Sequence, residues 1–242
     1  MYAIWAIEDG VMYRYQYYMA EDTIPVGVHE IGESAFAYNK MLERIVFPKL
    51  ILSIGDYAFQ GCTVLESVVF EDALYTLGNG VFADCTALRS IVIPESIAEI
   101  GSGAFAGCTA LESITIKGTV LEIGERTFEN CISLRQIVIP DGVTEIGSDA
   151  FRGCIALTSV VIPDSVTRIG SSAFEKCNAI KFIVIPESVQ EIGDGESYYF
   201  YEIDERDSAA EGYYDLLKSE EAITAMGGRV LVKLIPQYDD YY

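Results

Sequence analysis

Positively charged side chains are scarce in this sequence of 242 residues. Lys plus Arg number 16 against 37 for Asp plus Glu, which leaves a formal net charge of -21 at pH 7. No basic run occurs anywhere along the chain. Because a nucleic-acid backbone or an anionic membrane surface attracts clustered cations, both repel a chain of this charge. The composition therefore excludes nucleic acid as the partner.

Long hydrophobic runs are also absent. Charged residues or glycines interrupt the apolar stretches every few residues, so none approaches the roughly 18 to 20 positions of a membrane span. The first 25 residues have no basic start and contain Glu8 and Asp9, which does not fit a signal peptide. Half of the residues are hydrophobic and 22% are charged, which excludes wholesale disorder. We expect a folded protein that does not insert into a membrane, and a cytoplasmic one unless a leader has been removed.

Patterns typical of catalysis and metal binding are missing as well. His29 is the only histidine, and no nucleophile motif lies near it, so we expect an ordinary surface residue. The six cysteines lack the C-x-x-C spacing of metal sites. The glycines form neither G-x-G-x-x-G nor G-K-[ST]. The sequence therefore predicts no catalytic residue, no metal ligand and no cofactor, and hence no enzyme.

What the sequence does contain is a repeat of 23 residues. An Ile-Gly or Leu-Gly pair starts at Ile31, Ile54, Leu77, Ile100, Ile123, Ile146, Ile169 and Ile192. Five residues later stands Phe36, Phe59, Phe82, Phe105, Phe128, Phe151 or Phe174. Three residues further on come Asn39, Cys62, Cys85, Cys108, Cys131, Cys154 and Cys177, and then Leu42, Leu65, Leu88, Leu111, Leu134, Leu157 and Ile180. One such unit cannot bury its apolar side alone, so the units are expected to stack into a solenoid.

Each unit predicts a short strand, a second face and a turn. Ile91 and Ile93 alternate with polar or outward positions, which indicates a strand whose isoleucines point inward. Proline ends this strand at Pro48, Pro94, Pro140, Pro163 and Pro186. The Ile-Gly segment returns along a second face, where the glycine suits a positive φ or a close backbone approach. The apolar residues of A-F-x-x-C predict one short helical or 3₁₀ turn.

The blocks L-x-x-I-x-I-P, V-x-x-I-G and A-F-x-x-C resemble the BspA-like, or Treponema pallidum-type, leucine-rich repeat. This resemblance implies an α/β leucine-rich repeat solenoid, a right-handed curved superhelix of seven to eight units. A parallel β-sheet would lie on one face, with short second-face strands and short helical or 3₁₀ turns. It also implies a class dominated by bacterial surface proteins that adhere to host matrix proteins or other cells. Glu71 and Lys117 in place of proline, and Thr115 in place of valine, are interpreted as surface changes that leave the fold intact.

The two ends of a solenoid expose open apolar sections, so capping segments are expected there. Residues 1–22 contain two strand-like runs around Glu8-Asp9-Gly10, which predict a β-hairpin cap. Residues 23–193 form the predicted solenoid. Residues 194–242 predict a C-terminal cap of one helix and one strand, the strand near 229–235, together with an acidic tyrosine-rich tail. Self-association end to end through these caps is one possible property of the flanks.

The cysteine ladder is interpreted as structural. Stacked side chains about 4.8 Å apart point the same way, which does not suit a disulfide. Cysteine behaves as a small hydrophobe with a weak S–H donor. Asn39 at the matching position indicates that this place needs a side chain able to bond the turn backbone. We therefore expect free, buried thiols.

Carboxylates recur just after the strand end, at Asp72, Glu95, Asp141, Asp164 and Glu187. Calcium binding is one interpretation, because hard cations prefer carboxylate oxygens. The row nevertheless lacks the D-x-D spacing of a preformed cage. A solvated acidic ridge is the favoured interpretation.

The outward residues of the strands form the predicted binding surface. Its candidate residues are Arg44, Val46, Val69, Val92, Thr115, Gln136, Val138, Val161, Phe182 and Val184. Branched side chains suit any pleated sheet, so β propensity explains the valine row equally well. As a contiguous apolar strip, the row predicts an interaction surface. The predicted function is a non-catalytic scaffold that binds a host matrix or cell-surface protein, on a bacterial surface or secreted; the alternative is a cytoplasmic interaction module of the same fold.

Overall fold

The structure is a computed structural model that describes residues 4–16, 21–71, 73–180, 182–193, 200–202 and 230–233. Its strands are β1 (Ile4–Glu8), β2 (Val11–Gln16), β3 (Glu21–Thr23), β4 (Glu30–Ile31), β5 (Arg44–Phe47), β6 (Ser53–Ile54), β7 (Ser67–Phe70), β8 (Thr76–Leu77), β9 (Ser90–Ile93), β10 (Glu99–Ile100), β11 (Ser113–Ile116), β12 (Glu122–Ile123), β13 (Gln136–Val138), β14 (Glu145–Ile146), β15 (Ser159–Val161), β16 (Arg168–Ile169), β17 (Phe182–Val184), β18 (Glu191–Ile192), β19 (Phe200–Glu202) and β20 (Val230–Lys233).

The predicted strand of each unit is present. It pairs in parallel with its equivalent in the next turn, except between β7 and β9 and between β15 and β17. We call the outer surface of these strands the strand face. The register is one unit, as in Ser90↔Ser113 and Ile93↔Ile116 of β9 and β11. Equivalent residues of successive turns therefore lie side by side. Along β9 exposure alternates, with Ile91 and Ile93 buried, which confirms the predicted inward isoleucines.

The second face consists of two-residue strands, with the isoleucine of each Ile-Gly pair buried at all but the last turn. With β2 added at the N-terminal end, they form the parallel arrays β2-β4-β6-β8-β10 and β12-β14-β16-β18. At the N-terminal end β1 pairs antiparallel with β2, which confirms the predicted hairpin. Met12 pairs with Ile31 and is fully buried, so the hairpin supplies the first layer of the core.

The solenoid interior is a column of phenylalanine rings. The seven rings of the Phe ladder are buried and stack in order, with centroids 4.7 Å apart for Phe36 and Phe59 and 5.3 Å for Phe151 and Phe174. The leucine and isoleucine ladders pack around them in one continuous cluster. The 23-residue repeat therefore forms a coil of stacked turns, as the sequence predicts.

The segment from the glycine of the Ile-Gly pair to the cysteine, such as Gly147–Cys154, is here called the Phe arc. It contains no helix in any described turn, so the predicted helical or 3₁₀ turn is wrong for the described residues, whereas the predicted leucine-rich repeat solenoid is confirmed. Two positions per arc have positive φ, for example Asp149 at 56° and Gly153 at 74°. Instead, its N–H groups donate hydrogen bonds to carbonyl oxygens of the next turn. For example, Phe128 N–H donates to Ala150 O at 2.8 Å. The arc is therefore a third ladder between turns.

The strand sheet is interrupted between β7 and β9. These neighbouring strands are edges of separate sheets, β3-β5-β7 and β9-β11-β13-β15. In the two pairs β5–β7 and β9–β11, Glu71 N–H donates to Phe47 O and Lys117 N–H to Ile93 O, both at 3.0 Å. Pro94 has no N–H to donate to the corresponding carbonyl of β7. The replacements at 71 and 117 leave the fold intact, as expected, but they also add a backbone hydrogen bond.

Proline at the strand end does not by itself decide the extent of pairing. Strand β17, which precedes Pro186, is not paired with β15, whereas shorter pairs persist before two other prolines. Strands β11 and β13, the second of which precedes Pro140, pair only at Ser113↔Gln136. Strands β13 and β15, before Pro163, pair from Gln136 to Val138. The pairs that end in Glu71 or Lys117 extend over all four strand residues. Strand pairing is therefore longest where the strand-ending proline is replaced.

The second face is interrupted one strand later, between β10 and β12. The spacing between turns at this interruption differs from that elsewhere, as the space around the glycines of the Ile-Gly pairs shows. A Cβ on Gly147 would lie 2.6 Å from Glu125 N in the preceding turn, whereas a Cβ on Gly124 would meet nothing nearer than Thr127 Oγ1 at 3.5 Å. These glycines are not among the residues of positive φ, so the close-approach alternative explains them. Strand β9 is therefore paired with the following turn, whereas β10 is paired with the preceding turn.

At the C-terminal end the parallel order changes. Strand β17 pairs antiparallel with β20, and β20 pairs antiparallel with β19. Strand β20 falls within the stretch predicted as a strand, and the predicted helix before it lies outside the described residues. The domain boundaries at 22 and 193 stay a prediction.

Candidate protein-binding site

The strand face carries the predicted site residues in two columns. In β5, Arg44 is exposed and Val46 half-buried, whereas Ile45 and Phe47 are buried. Arg44 and Gln136 occupy the first column, at the starts of β5 and β13. Val46, Val69, Val92, Thr115, Val138 and Val161 occupy the second. These side chains point away from the core because side chains alternate along a strand.

The valine column becomes more exposed toward the C-terminal end. Val69 is 39% exposed, Val92 50%, Val138 75% and Val161 70%. Register places Val46 beside Val69, Val92 beside Thr115, and Val138 beside Val161. Phe182 and Val184 lie in β17, and their side chains are outside what the structure describes. The fold therefore brings the described candidates into one strip, divided where β7 and β9 are unpaired.

A cavity of about 640 Å³ opens at this division, and we call it the seam cavity. Its lining consists of Glu66, Ser67, Val68, Val69, Phe70, Ser90, Ile91, Val92, Pro94, Glu95, Ser96 and Lys117. Phe70 is only half-buried. The equivalent strand-end residues of the other turns, Phe47, Ile93, Ile116, Ile139, Ile162 and Ile185, are buried. The interruption therefore opens the apolar core toward the strand face.

The seam cavity was not found by reasoning from the sequence. The only signal for it is the pattern of proline and its replacements at positions 71, 94 and 117. That pattern marks where backbone donors are present or missing. It does not indicate how far two turns separate.

The acidic row lies beside the strand face. Glu95, Asp141, Asp164 and Glu187 are exposed, as is Lys49, whereas Asp72 lies outside the described residues. Among the described residues, no three His, Cys, Asp or Glu side chains are grouped so that they could hold a metal ion. The calcium interpretation therefore has no geometric support in this part of the chain.

The six thiols are buried, as predicted. Each donates to the carbonyl of a Phe in the preceding turn, as Cys108 Sγ does to Phe82 O at 3.1 Å. Asn39 instead accepts from Met41 N–H and Leu42 N–H, at 2.9 and 3.1 Å, so this position does bond the turn backbone. Burial raises the pKa of the Cys108 thiol to about 12 and also raises that of Cys131. Such thiols are protonated and poor nucleophiles at neutral pH.

His29 lies apart from the strand face. Its backbone N–H donates to Gly10 O at 2.9 Å, and its side chain is exposed, in agreement with the predicted surface position. No helix in the described part of the chain has the length and apolar character of a membrane span.

Comparison with protein families identifies the repeat. The profile described as "BspA type leucine rich repeat region" matches residues 9–134 and 99–205, in six copies. Comparison with curated proteins gave no significant match.

Solved structures agree with this match. The leucine-rich repeat protein of Treponema pallidum superposes with a TM-score of 0.61 at 25% identity, covering 70% of this chain and 82% of that one. One from Bacteroides ovatus gives 0.59 at 26% identity, covering 79% of this chain but only 59% of its own. The pneumococcal vaccine antigen PcpA gives 0.52 at 18% identity, covering 73% and 59%, and supports the fold alone.

Proposed function

Because this chain belongs to the BspA-type leucine-rich repeat family, whose solenoids are generally non-catalytic and typically serve as protein-interaction scaffolds, we propose that it binds a protein ligand through its strand face. The ligand is a host matrix or cell-surface protein. The function is adhesion, and its place is the bacterial cell surface or the secreted fraction.

One observation supports the strand face above other surfaces. Val92, Val138 and Val161 are at least half exposed on strands whose inward neighbours are buried. Flat, branched side chains on a rigid sheet lose little conformational entropy when they are covered. A strip of this kind is the part of a repeat scaffold that a protein surface can cover without rearrangement.

The adhesive role and the surface location are proposed by analogy with bacterial proteins of similar structure. The pneumococcal vaccine antigen PcpA has a similar fold. The alternative location is the cytoplasm, as an interaction module of the same fold. Fractionation of the native cells, with detection by an antibody to this chain, separates the two.

The binding experiment uses the intact chain and a panel of immobilised matrix proteins and whole bacterial cells. The double variant Val138→Lys/Val161→Lys places two charges on the strand face, away from the seam cavity. We expect it to lose capture by at least about tenfold, because two buried ammonium groups would have to be desolvated in the complex. Its melting temperature is expected to stay unchanged because both residues are exposed.

A matched control changes two exposed isoleucines that directly follow the Phe arc of their turns. Ile132 and Ile155 are 40% and 48% exposed on adjacent turns. The variant Ile132→Lys/Ile155→Lys is expected to retain capture. Equal capture by both variants would place the ligand on another surface.

Self-association through the caps stays a separate prediction. Strand β1 is an edge strand of its sheet and is available for pairing. Scattering at increasing protein concentration tests it: a molecular mass that stays monomeric contradicts this association.

A further inference from the structure

We propose that the seam cavity receives a cationic side chain, arginine or lysine, of the protein that the strand face binds. The inference rests on the proposed function and specifies the chemistry of one anchor within the same surface. Val69 and Val92 belong both to the exposed valine column and to the cavity lining. A ligand that covers the valines therefore also covers the mouth of the cavity.

The size of the cavity suits an inserted side chain. Its volume of about 640 Å³ lies within the range of small-molecule pockets, about 300 to 1,000 Å³. A complete extra strand does not fit between β7 and β9, because they are already adjacent turns of the coil. A long side chain with part of its own backbone is the protein element that such a space accepts.

The charged lining favours a cation. Two carboxylates, Glu66 and Glu95, oppose the single ammonium group of Lys117. Over the whole molecule the net charge is -21, which raises the local concentration of cationic partners. A carboxylate from a ligand would find one lysine and two repelling carboxylates.

The remaining lining accommodates the stem of such a side chain. Phe70 is half-buried at the cavity, with Val68 and Ile91 beside it. Arg and Lys pack their aliphatic stems on apolar surface while the charged head reaches polar groups. An aromatic ring also attracts a cation.

Short peptides test the anchor without the natural ligand. The probes are acetylated and amidated Ala-Arg-Ala, Ala-Leu-Ala and Ala-Glu-Ala, titrated into the intact chain while backbone amide resonances are recorded. We expect saturable shifts confined to β7, β9 and their flanks with the arginine peptide. Shifts of equal size with the leucine or glutamate peptide would overturn the proposal.

Charge variants give the sign of the interaction. Glu66→Gln/Glu95→Gln should weaken binding of the arginine peptide about tenfold, whereas Lys117→Gln should strengthen it about threefold. The control Asp141→Asn/Asp164→Asn makes the same change of net charge on the acidic row outside the cavity. It should alter affinity by less than about twofold. An equal loss in the control, or a weakening by Lys117→Gln, contradicts a cation site.

The two proposals fail separately. If Val138→Lys/Val161→Lys loses the protein ligand but no peptide binds at β7 and β9, the anchor is wrong and the strand-face function stands. If the arginine peptide binds there while that variant keeps its ligand, the cavity takes a cation but not as part of the proposed surface, and the inference is overturned as stated.

Discussion

The Phe arc and the strand face are ladders of the same coil, yet only one of them is continuous. At the level where β7 and β9 are unpaired, Phe82 N–H still donates to Ala104 O at 2.8 Å, and the rings of Phe82 and Phe105 remain stacked at 5.7 Å. Where β10 and β12 are unpaired, Phe105 N–H donates to Thr127 O at 2.9 Å. The arc therefore connects the turns on both sides of the interruption.

This difference separates stability from binding. The arc buries aromatic rings and thiols and exchanges backbone hydrogen bonds at each of these turns. The strand face pairs to a different extent from one turn to the next, and it leaves its valines and the seam cavity exposed. We infer that the Phe arc and its rings provide most of the stability of the coil. The strand face contributes less to stability and forms the recognition surface.

The largest expected effect comes from breaking the ring column. Phe105 is fully buried between two neighbouring rings, so Phe105→Ala should lower the free energy of unfolding by about 3–5 kcal/mol. Val138→Ala on the strand face should cost less than about 1 kcal/mol, because that side chain is exposed. Urea unfolding of both variants measures the contrast. Similar costs would contradict the assignment of stability to the arc.

A pair of glycine variants tests the interruption on the second face. Gly147→Ala should destabilise by about 1–3 kcal/mol, because the added Cβ would lie against the backbone of the preceding turn. Gly124→Ala occupies the same motif position beside the interruption and should be neutral or stabilise by up to about 1 kcal/mol. Thermal unfolding ranks the two. Equal destabilisation would show that the turns at Gly124 are as close as elsewhere.

Alkaline pH should lower the free energy of unfolding through the buried thiols of the Phe arc. The folded pKa of Cys108 is raised to about 12 by burial, from an ordinary value of 9.0. The unfolded thiol ionises first, so the stabilisation is complete below about pH 9 and is lost as pH rises toward 12. The loss approaches about 1.4 kcal/mol per pH unit for one thiol. Cys108→Ala, compared with the unmodified chain across pH 8 to about 11, should show a shallower decline; identical slopes would indicate that this thiol ionises freely in the native state.

Much of the fold could be predicted from the sequence because each ladder repeats one side chain at one spacing. The buried Phe, Cys and Leu positions, the inward isoleucines and the hairpin around Asp9 and Gly10 all follow from apolar periodicity and turn chemistry. The valine column could be predicted for the same reason. Periodicity identifies which residues share a face, and in a solenoid this is most of the architecture.

The arc was mispredicted because two short-range patterns compete. Ala-Phe-x-x-Cys fits one helical turn, but the columns around it contain Gly80, Gly103, Asp84 and Asn130, all with positive φ. Glycine, asparagine and aspartate are the residues that adopt this conformation most readily. That composition was the available signal for left-handed turns, and it outweighs the apolar spacing.

The seam cavity could not be predicted, because it depends on the relative placement of two turns. Proline at 94 indicates a missing donor, yet Pro163 follows a strand that remains paired. The consequence of the missing donor is therefore set by the packing of whole turns and not by the local sequence.

Amide hydrogen exchange of the intact chain tests the contrast between the two ladders most directly. Ser113 N–H donates to Arg89 O at 3.4 Å, and Ser90 is its equivalent on the β9 edge that faces β7. The amides of Phe82 and Phe105 should exchange slowly, and that of Ser90 at least about tenfold faster than that of Ser113. If Ser90 is as protected as Ser113, the strand sheet is closed in solution, and the division between a holding arc and an open binding face is wrong.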